Sequence, residues 1–285
     1  MIIIVGGIVV FISTIGGFMI AGGNPMALLH ISEFVIIGGI ALGVVLIATP
    51  NSVIKAMIVD IKGALGGHGG TAEEYEDLLK MLYEIFMLAR RNGLISLDDH
   101  ISDPPASSIL SKYESFVQDE EKVEFLVNAL RPIIDGRIKP EQLNGLLQSE
   151  IKAKEAQSHG PVNTLLFVGD SLPGIGICAA VLGIINTMAA ISAGPEKVGQ
   201  KVAAALTGTF LGIYGAYGFI NPLAKRISEN HRVHFKYFNM MSEAISGFAN
   251  GLAPLMAIES VRRTMDGEVQ PKADELEETL KNIGK

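Results

Sequence analysis

Two apolar runs, from about Val168 to Ala193 and from about Val202 to Ala224, hold the residues best suited to chemistry in this chain of 285 residues. Each contains a proline, Pro173 in the first and Pro222 in the second. A mid-helix proline removes one backbone hydrogen bond and leaves the carbonyl four residues earlier, that of Gly169 or Gly218, needing another partner. Freed carbonyls and hydroxyls beside a cavity can be hydrated, and a hydrated seam can pass an ion. Gly176, Ala179, Ala180 and Gly183 form a stripe of small residues in the first run, and Ala205, Thr209, Gly212 and Ala216 form one in the second. Taken singly, such residues point to close helix packing. Combined with the prolines, they read as the wall of an ion path. The two runs head in opposite directions, which is expected to bring Pro173 and Pro222 to one depth as a flexible ring. The only carboxylate in either run is Asp170, at its edge, and the cores of all the apolar spans are expected to carry no acid or base. Ion relays need an ionisable group at mid-membrane, so a partner would have to supply it.

The elements that must hold these runs belong to a membrane protein. Hydrophobic residues make up 48% of the chain and charged residues only 19%, with a mean hydropathy of +0.36, too apolar for a soluble domain of this size. A net charge of -7 argues against a nucleic-acid partner. The single cysteine, Cys178, rules out an intrachain disulfide framework and fits a reducing compartment for the soluble part. No tryptophan is present to mark the membrane interfaces.

Ile2 to Ile20 is uncharged and long enough to span. A cleaved signal peptide would also be apolar, but no basic segment precedes this run. Gly22-Gly23-Asn24-Pro25 marks a turn, and a second span is expected from about Phe34 to Thr49, with Gly39 and Gly43 at a spacing that lets helix backbones approach. Lys55 and Lys62 follow the second span and Lys225, Arg226, Arg232 and Lys236 follow the last, whereas the loop from Ala21 to Glu33 has no lysine or arginine. That asymmetry outweighs Lys197 and Lys201 in the last outer loop, and predicts cytoplasmic termini and a cytoplasmic middle segment. The fold expected is an all-α membrane protein with four transmembrane helices, a helical cytoplasmic domain between the second and third, and a short cytoplasmic tail. Its divisions fall at residues 1–53, 54–163, 164–224 and 225–285. In the middle segment, Leu78, Met81, Leu82, Ile85 and Leu88 recur at helical spacing, with Arg90-Arg91 in the last turn and Asn92-Gly93 as the stop. Asp119-Glu120-Glu121 opens another helix, and Pro140 starts a polar one that runs through Glu150 toward the third span. The acidic end, Pro271 to Lys285, is expected as a short surface helix or a frayed terminus.

Enzymatic motifs fail on context. Gly174-Ile-Gly176-Ile-Cys-Ala179 matches a dinucleotide fingerprint but sits inside an apolar span with no strand before it. Gly66-Gly67-His68-Gly69-Gly70 lacks the Gly-Lys-Ser/Thr ending of a phosphate loop and reads as a linker. His231 and His234 lie three residues apart with no further ligand nearby. No catalytic residue set, metal site or cofactor is implied.

The run Gly169-Asp-Ser-Leu-Pro173, the segment Gly208-Thr-Phe-Leu-Gly212 followed by Tyr214 to Pro222, and the stretch from Ala89-Arg90 to Leu97 resemble the A subunits of bacterial flagellar motor stators, the MotA family, within the MotA/TolQ/ExbB proton channels. The resemblance covers almost the whole chain. It implies a proton-driven torque generator of the inner membrane rather than an enzyme, with five copies surrounding two copies of a B subunit, MotB, whose aspartate binds the travelling ion. By the same resemblance Pro173 and Pro222 couple ion passage to movement, and Ala180, Thr209, Asp170 and Tyr217 belong to the ion path and its coupling. Sodium-driven relatives carry threonine at the position of Ala180, which favours protons here. Arg90, Asp98 and Glu150 match charges that engage the rotor's switch protein, with Asp98 standing where glutamate is frequent. Energisers of the TolQ or ExbB type usually have three spans, with the soluble segment after the first, so the two early spans argue against them. A structural scaffold would tolerate changes at the prolines and Thr209.

Overall fold

The computed structural model describes residues 2–66, 70–189, 192 and 194–283. The glycine-rich Gly67-His68-Gly69 segment and the last residues of the third apolar run lie outside the described residues. Among those described there is no strand. In chain order the helices are α1 (Ile2–Ile20), α2 (Ile31–Ala48), α3 (Asn51–Gly66), α4 (Ala72–Asn92), α5 (Asp98–Ser102), α6 (Glu114–Val117), α7 (Glu120–Ile134), α8 (Pro140–Ala189), α9 (Pro195–Gly215), α10 (Asn221–Ala249), α11 (Pro254–Arg262) and α12 (Ala273–Ile283). They form two compact units, one from Met1–His68 with Ser158–Asn230 and the other from Gly69–Gln157 with His231–Lys285. Both α8 and α10 begin in one unit and end in the other.

The first unit contains the apolar spans. Among the described residues, four helical segments are long and apolar enough to cross a membrane, Ile2–Ile20, Pro25–Ala48, Pro140–Met188 and Pro195–Ala249. None of the described residues of α1 is buried within this chain. Its exposed Ile4, Val5, Ile8, Val9, Phe11 and Ile12 suit contact with lipid or other apolar helices and would be costly in water. Asn24 caps the turn before the second span by accepting from the Met26 amide at 3.0 Å. The expected start of that span at Phe34 is corrected: the helix begins at Ile31, and Glu33 lies in its first turn as a buried residue. An acid beside an apolar run reads as loop because sequence does not show the pocket that receives it. Gly39 and Gly43 have no neighbouring atoms near enough to touch an added Cβ, so they do not mediate packing within this chain.

The second unit has a core of aliphatic and aromatic side chains from α4, α7, the first part of α8, and α10 to α12. Thr71 caps α4 by accepting from the Glu74 amide at 3.2 Å, and Asp119 caps α7 by accepting from the Lys122 amide at 3.2 Å. Gly93, with φ +84° and ψ +161°, takes a positive-φ extended conformation that suits glycine where α4 ends. The expected face of α4 is buried at Leu78, Met81, Leu82 and Ile85. The C-terminal stretch forms the expected short surface helix, α12, and the segment from His231 onward, expected as a tail, is part of this unit. Phe248 of α10 stacks on Phe86 of α4 at 4.4 Å, and Leu276 and Leu280 of α12 are buried in the same core. Apolar spacing in α12 showed that it had a face to bury, and α4 and α11 are what it meets.

Polar links tie the helices of this unit as well. Glu121 of α7 accepts from Lys154 of α8 at 3.0 Å and lies 3.1 Å from Nε2 of His234 on α10. The hydrogen bond from His234, with that from Lys154, holds the Glu121 carboxyl down at about 2 against the cost of burial. Because the folded-state value is depressed, the stability this contributes is present above the ordinary glutamate range and is lost as pH falls from about 4.5 toward about 2. Replacing Glu121 with Gln should lower the stability of this unit by about 1 kcal/mol near neutrality, the scale of a partly exposed pair. Thermal unfolding at a series of pH values should show the wild-type advantage disappearing through that acid window.

Candidate functional site: the α8–α9 wall and its prolines

The small-residue stripes expected from the sequence meet face to face. A Cβ added to Gly176 would lie 2.8 Å from the Gly208 carbonyl oxygen and 3.1 Å from the Gly212 Cα. One added to Gly212 would lie 2.5 Å from the Leu172 carbonyl oxygen, and one on Gly183 would lie 2.9 Å from the Ala205 Cβ. Backbone therefore touches backbone along this contact, which only small residues permit. Ala179 and Ala216 are fully buried beside it, packed with Val168, Leu172, Ile175 and Ile37. Ala180 is also buried, and Thr209 is half-buried one residue beyond Gly208.

The two prolines differ. Pro173 sits within the unbroken helix α8, as Pro161 does one segment earlier. Pro222 follows a π-helical turn, Ala216–Ile220, that joins α9 to α10, and the Asn221 amide reaches back to the Ala216 carbonyl. A proline ring collides with the carbonyl four residues before it, and a widened turn makes room for that collision. Half-buried Gly218 lies in this turn, with Val10 of α1 3.2 Å from the place of its missing Cβ.

The expected ring at one depth is corrected. Asn221 packs directly on the Cα of Gly169, where no Cβ would fit, and its amide donates to Asp170 at 3.5 Å. Pro222 is thus level with Gly169, while Pro173 lies four residues further along α8, about 6 Å away along the axis. An offset arises because helix packing is set by where glycine meets glycine, not by where the prolines fall. Asp170, Pro222 and Tyr217 are exposed in the single chain, with 63% of Tyr217 accessible, while Pro173 is half-buried. Asn221 was not singled out by the sequence, although an amide immediately before a helix-breaking proline was a signal available there.

Nor was Glu33, which the sequence pattern puts in the loop before the second span and the structure places in the first turn of α2. Only 3% of this residue is exposed, and its Oε2 lies 2.5 Å from the place a Cβ on Gly208 would take.

The predicted rotor-facing residues lie in the other unit. Arg90 is exposed in the last turn of α4, as a basic residue at a helix C-terminus should be. Asp98, exposed at the start of α5, faces Arg131 of α7 at 3.8 Å, a pairing that sequence spacing could not reveal. Glu150 is half-exposed on α8.

Four apolar helical segments, a proline-bearing helix pair in close backbone contact and a further helical unit, all among the described residues, define the class of multi-span all-helical membrane proteins. Residues 4–93 match the model of the motility protein A N-terminal domain, and residues 117–240 match the MotA/TolQ/ExbB proton channel family. Motility protein A of Salmonella typhimurium is 34% identical over 99% of this chain and 96% of its own. Chemotaxis protein LafT of Vibrio parahaemolyticus is 33% identical over 96% of each chain. The fold matches that in the MotAB structure from C. jejuni, with a TM-score of 0.79 at 24% identity over 93% of this chain and 96% of that one. The chain belongs to the motility protein A family within the MotA/TolQ/ExbB proton channels, and is accordingly a proton-channel subunit of a flagellar stator.

The α8–α9 contact generates a direct test. Gly212→Ala should force the helices apart and lower the stability of the detergent-solubilised chain by about 1–3 kcal/mol, the scale of overpacking. Gly199→Ala, at a glycine with no atoms near its missing Cβ, should leave the thermal transition unchanged.

Proposed function

We propose that this chain works as the A subunit of a flagellar stator in the bacterial inner membrane, with both termini and the helical unit in the cytoplasm. The single observation that carries the reading is the near-full-length relation to motility protein A, over 99% of the chain. The basic residues that follow the second and fourth spans support the orientation. Several copies, five by the family pattern, surround a MotB-type B subunit whose aspartate takes up the travelling proton. Two solved relatives are MotAB complexes, from C. jejuni and Bacillus subtilis. The open faces of α1 and of Gly39 and Gly43 suit contact with neighbouring copies or lipid.

In this mechanism protonation of the partner's aspartate changes its fit against the wall that includes Pro173, Ala180 and Thr209. Exposed Tyr217, Pro222 and Asp170 extend that wall toward the cytoplasmic end. Each proton crossing is worth roughly 2.3 kcal/mol per 100 mV, enough to bias a contact with two arrangements. The π turn before Pro222 is where α9 gives way to α10, so movement of the wall has a deformable joint to act on. Arg90, Asp98 and Glu150 then meet charges on the rotor's switch protein through short-range, salt-screened contacts.

Pro173→Ala should slow or abolish swimming while membrane insertion and complex assembly remain normal, scored by tracking cells and by blotting membranes. Normal swimming in that variant would sink the coupling role. Arg90→Glu should reduce motility, and a charge reversal on the rotor should restore part of it, whereas no rescue by any reversed rotor charge would count against direct contact.

A further inference from the structure

Glu33 is an acid without an assigned purpose. Its side chain is almost wholly buried, and Oε2 has no hydrogen-bond partner. An ionised carboxylate buried with one oxygen unpartnered is disfavoured, so an acid in such a place is disposed to hold a proton.

Its surroundings place it in the apolar layer, although it lies in the first turn of α2. The position of a Cβ on Gly208 is 2.5 Å from Oε2, 3.3 Å from the Ala179 Cβ and 3.4 Å from the Ala180 amide nitrogen. Gly208 lies six residues inside the apolar run that begins at Val202, about 9 Å along the helix. The carboxyl therefore occupies the space that a missing side chain leaves between α8 and α9. The backbone nitrogen of Ala180, a residue the family resemblance places on the ion path, borders that space, and Thr209 follows Gly208 in sequence. The polar groups acting on Glu33 are His30 and Ser32 of its own segment. The buried hydroxyl of Thr207, one of the two that flank Gly208 on α9, is already committed to the Ala203 carbonyl at 3.0 Å.

The geometry points to Glu33 as a proton-binding site belonging to this chain, which takes up and releases protons at the α8–α9 wall in addition to the partner's aspartate. The inference rests on the stator reading for its place in a path, while proton binding itself stands on the buried carboxyl. The step is a simple transfer: a proton from a hydronium ion or water chain binds Oε2, and the same proton leaves when the carboxylate re-forms. Gly208 is then a specificity-determining position, because any side chain there would occupy the carboxyl's seat.

The test uses the chain assembled with its B subunit in lipid vesicles, with proton flux read by a pH-sensitive dye and carboxyl protonation by infrared difference spectra across pH. Glu33→Gln keeps the shape and removes titration. It should lower flux at least tenfold and delete one titrating carboxyl band, and Glu33→Asp should restore both in part. Gly208→Ala should shift that band, because it displaces the carboxyl. Wild-type flux in Glu33→Gln, or a spectrum that loses no titrating band, overturns the proposal. Should the wild-type complex carry no protons at all, the stator reading fails. The infrared titration then still decides proton binding: a titrating band lost in Glu33→Gln upholds the site, and its absence removes it.

Discussion

The contact between α8 and α9 depends on the absence of side chains at Gly176, Gly208 and Gly212. With hydrogen atoms at those places, the Leu172 and Gly208 carbonyls come within reach of the facing backbone. In lipid no hydrophobic driving force brings helices together, so dispersion at such short range has to supply the attraction. Everything proposed for the site inherits its position from this contact. It fixes the height of Ala180 against Gly208, the level of Asn221 against Gly169, and the pocket that takes the Glu33 carboxyl.

Helix continuity is the second constraint. The fifty residues of α8 run without interruption through Pro161 and Pro173. The second path through the chain differs, since α9 reaches α10 only through the π turn. The first helix is regular and the second carries a built-in irregularity.

Much of this was legible in the sequence because helical signals are local. Thr71, the glutamates after it, Arg90-Arg91 and Gly93 bracket α4 by capping and dipole chemistry alone, and the apolar spans are set by length and composition. Burial across long separations was not legible. Periodicity shows that α12 has an apolar face but not that Leu280 will end in the core beside α4. Asp98 carries no mark of Arg131, and Glu33 looks like a loop acid until a glycine far along the chain is seen to receive it. The prolines gave the right helices but the wrong relative height, since backbone contact rather than proline position sets the register.

The π turn has a rotational consequence. An α-helix advances about 100° per residue, so one extra residue in a turn rotates all that follows by about that angle relative to an ideal helix. Ala224 and Ile227, which come just after the turn, are fully buried against Val162, Leu165 and Ala64. Straightening the helix by a residue would swing those two side chains out of their seats and bring neighbours such as exposed Lys225 round toward them. The irregular turn therefore acts as a phase setting: it keeps the glycine face of α9 and the apolar face of α10 each pointed at its own neighbours, although a regular helix could not satisfy both.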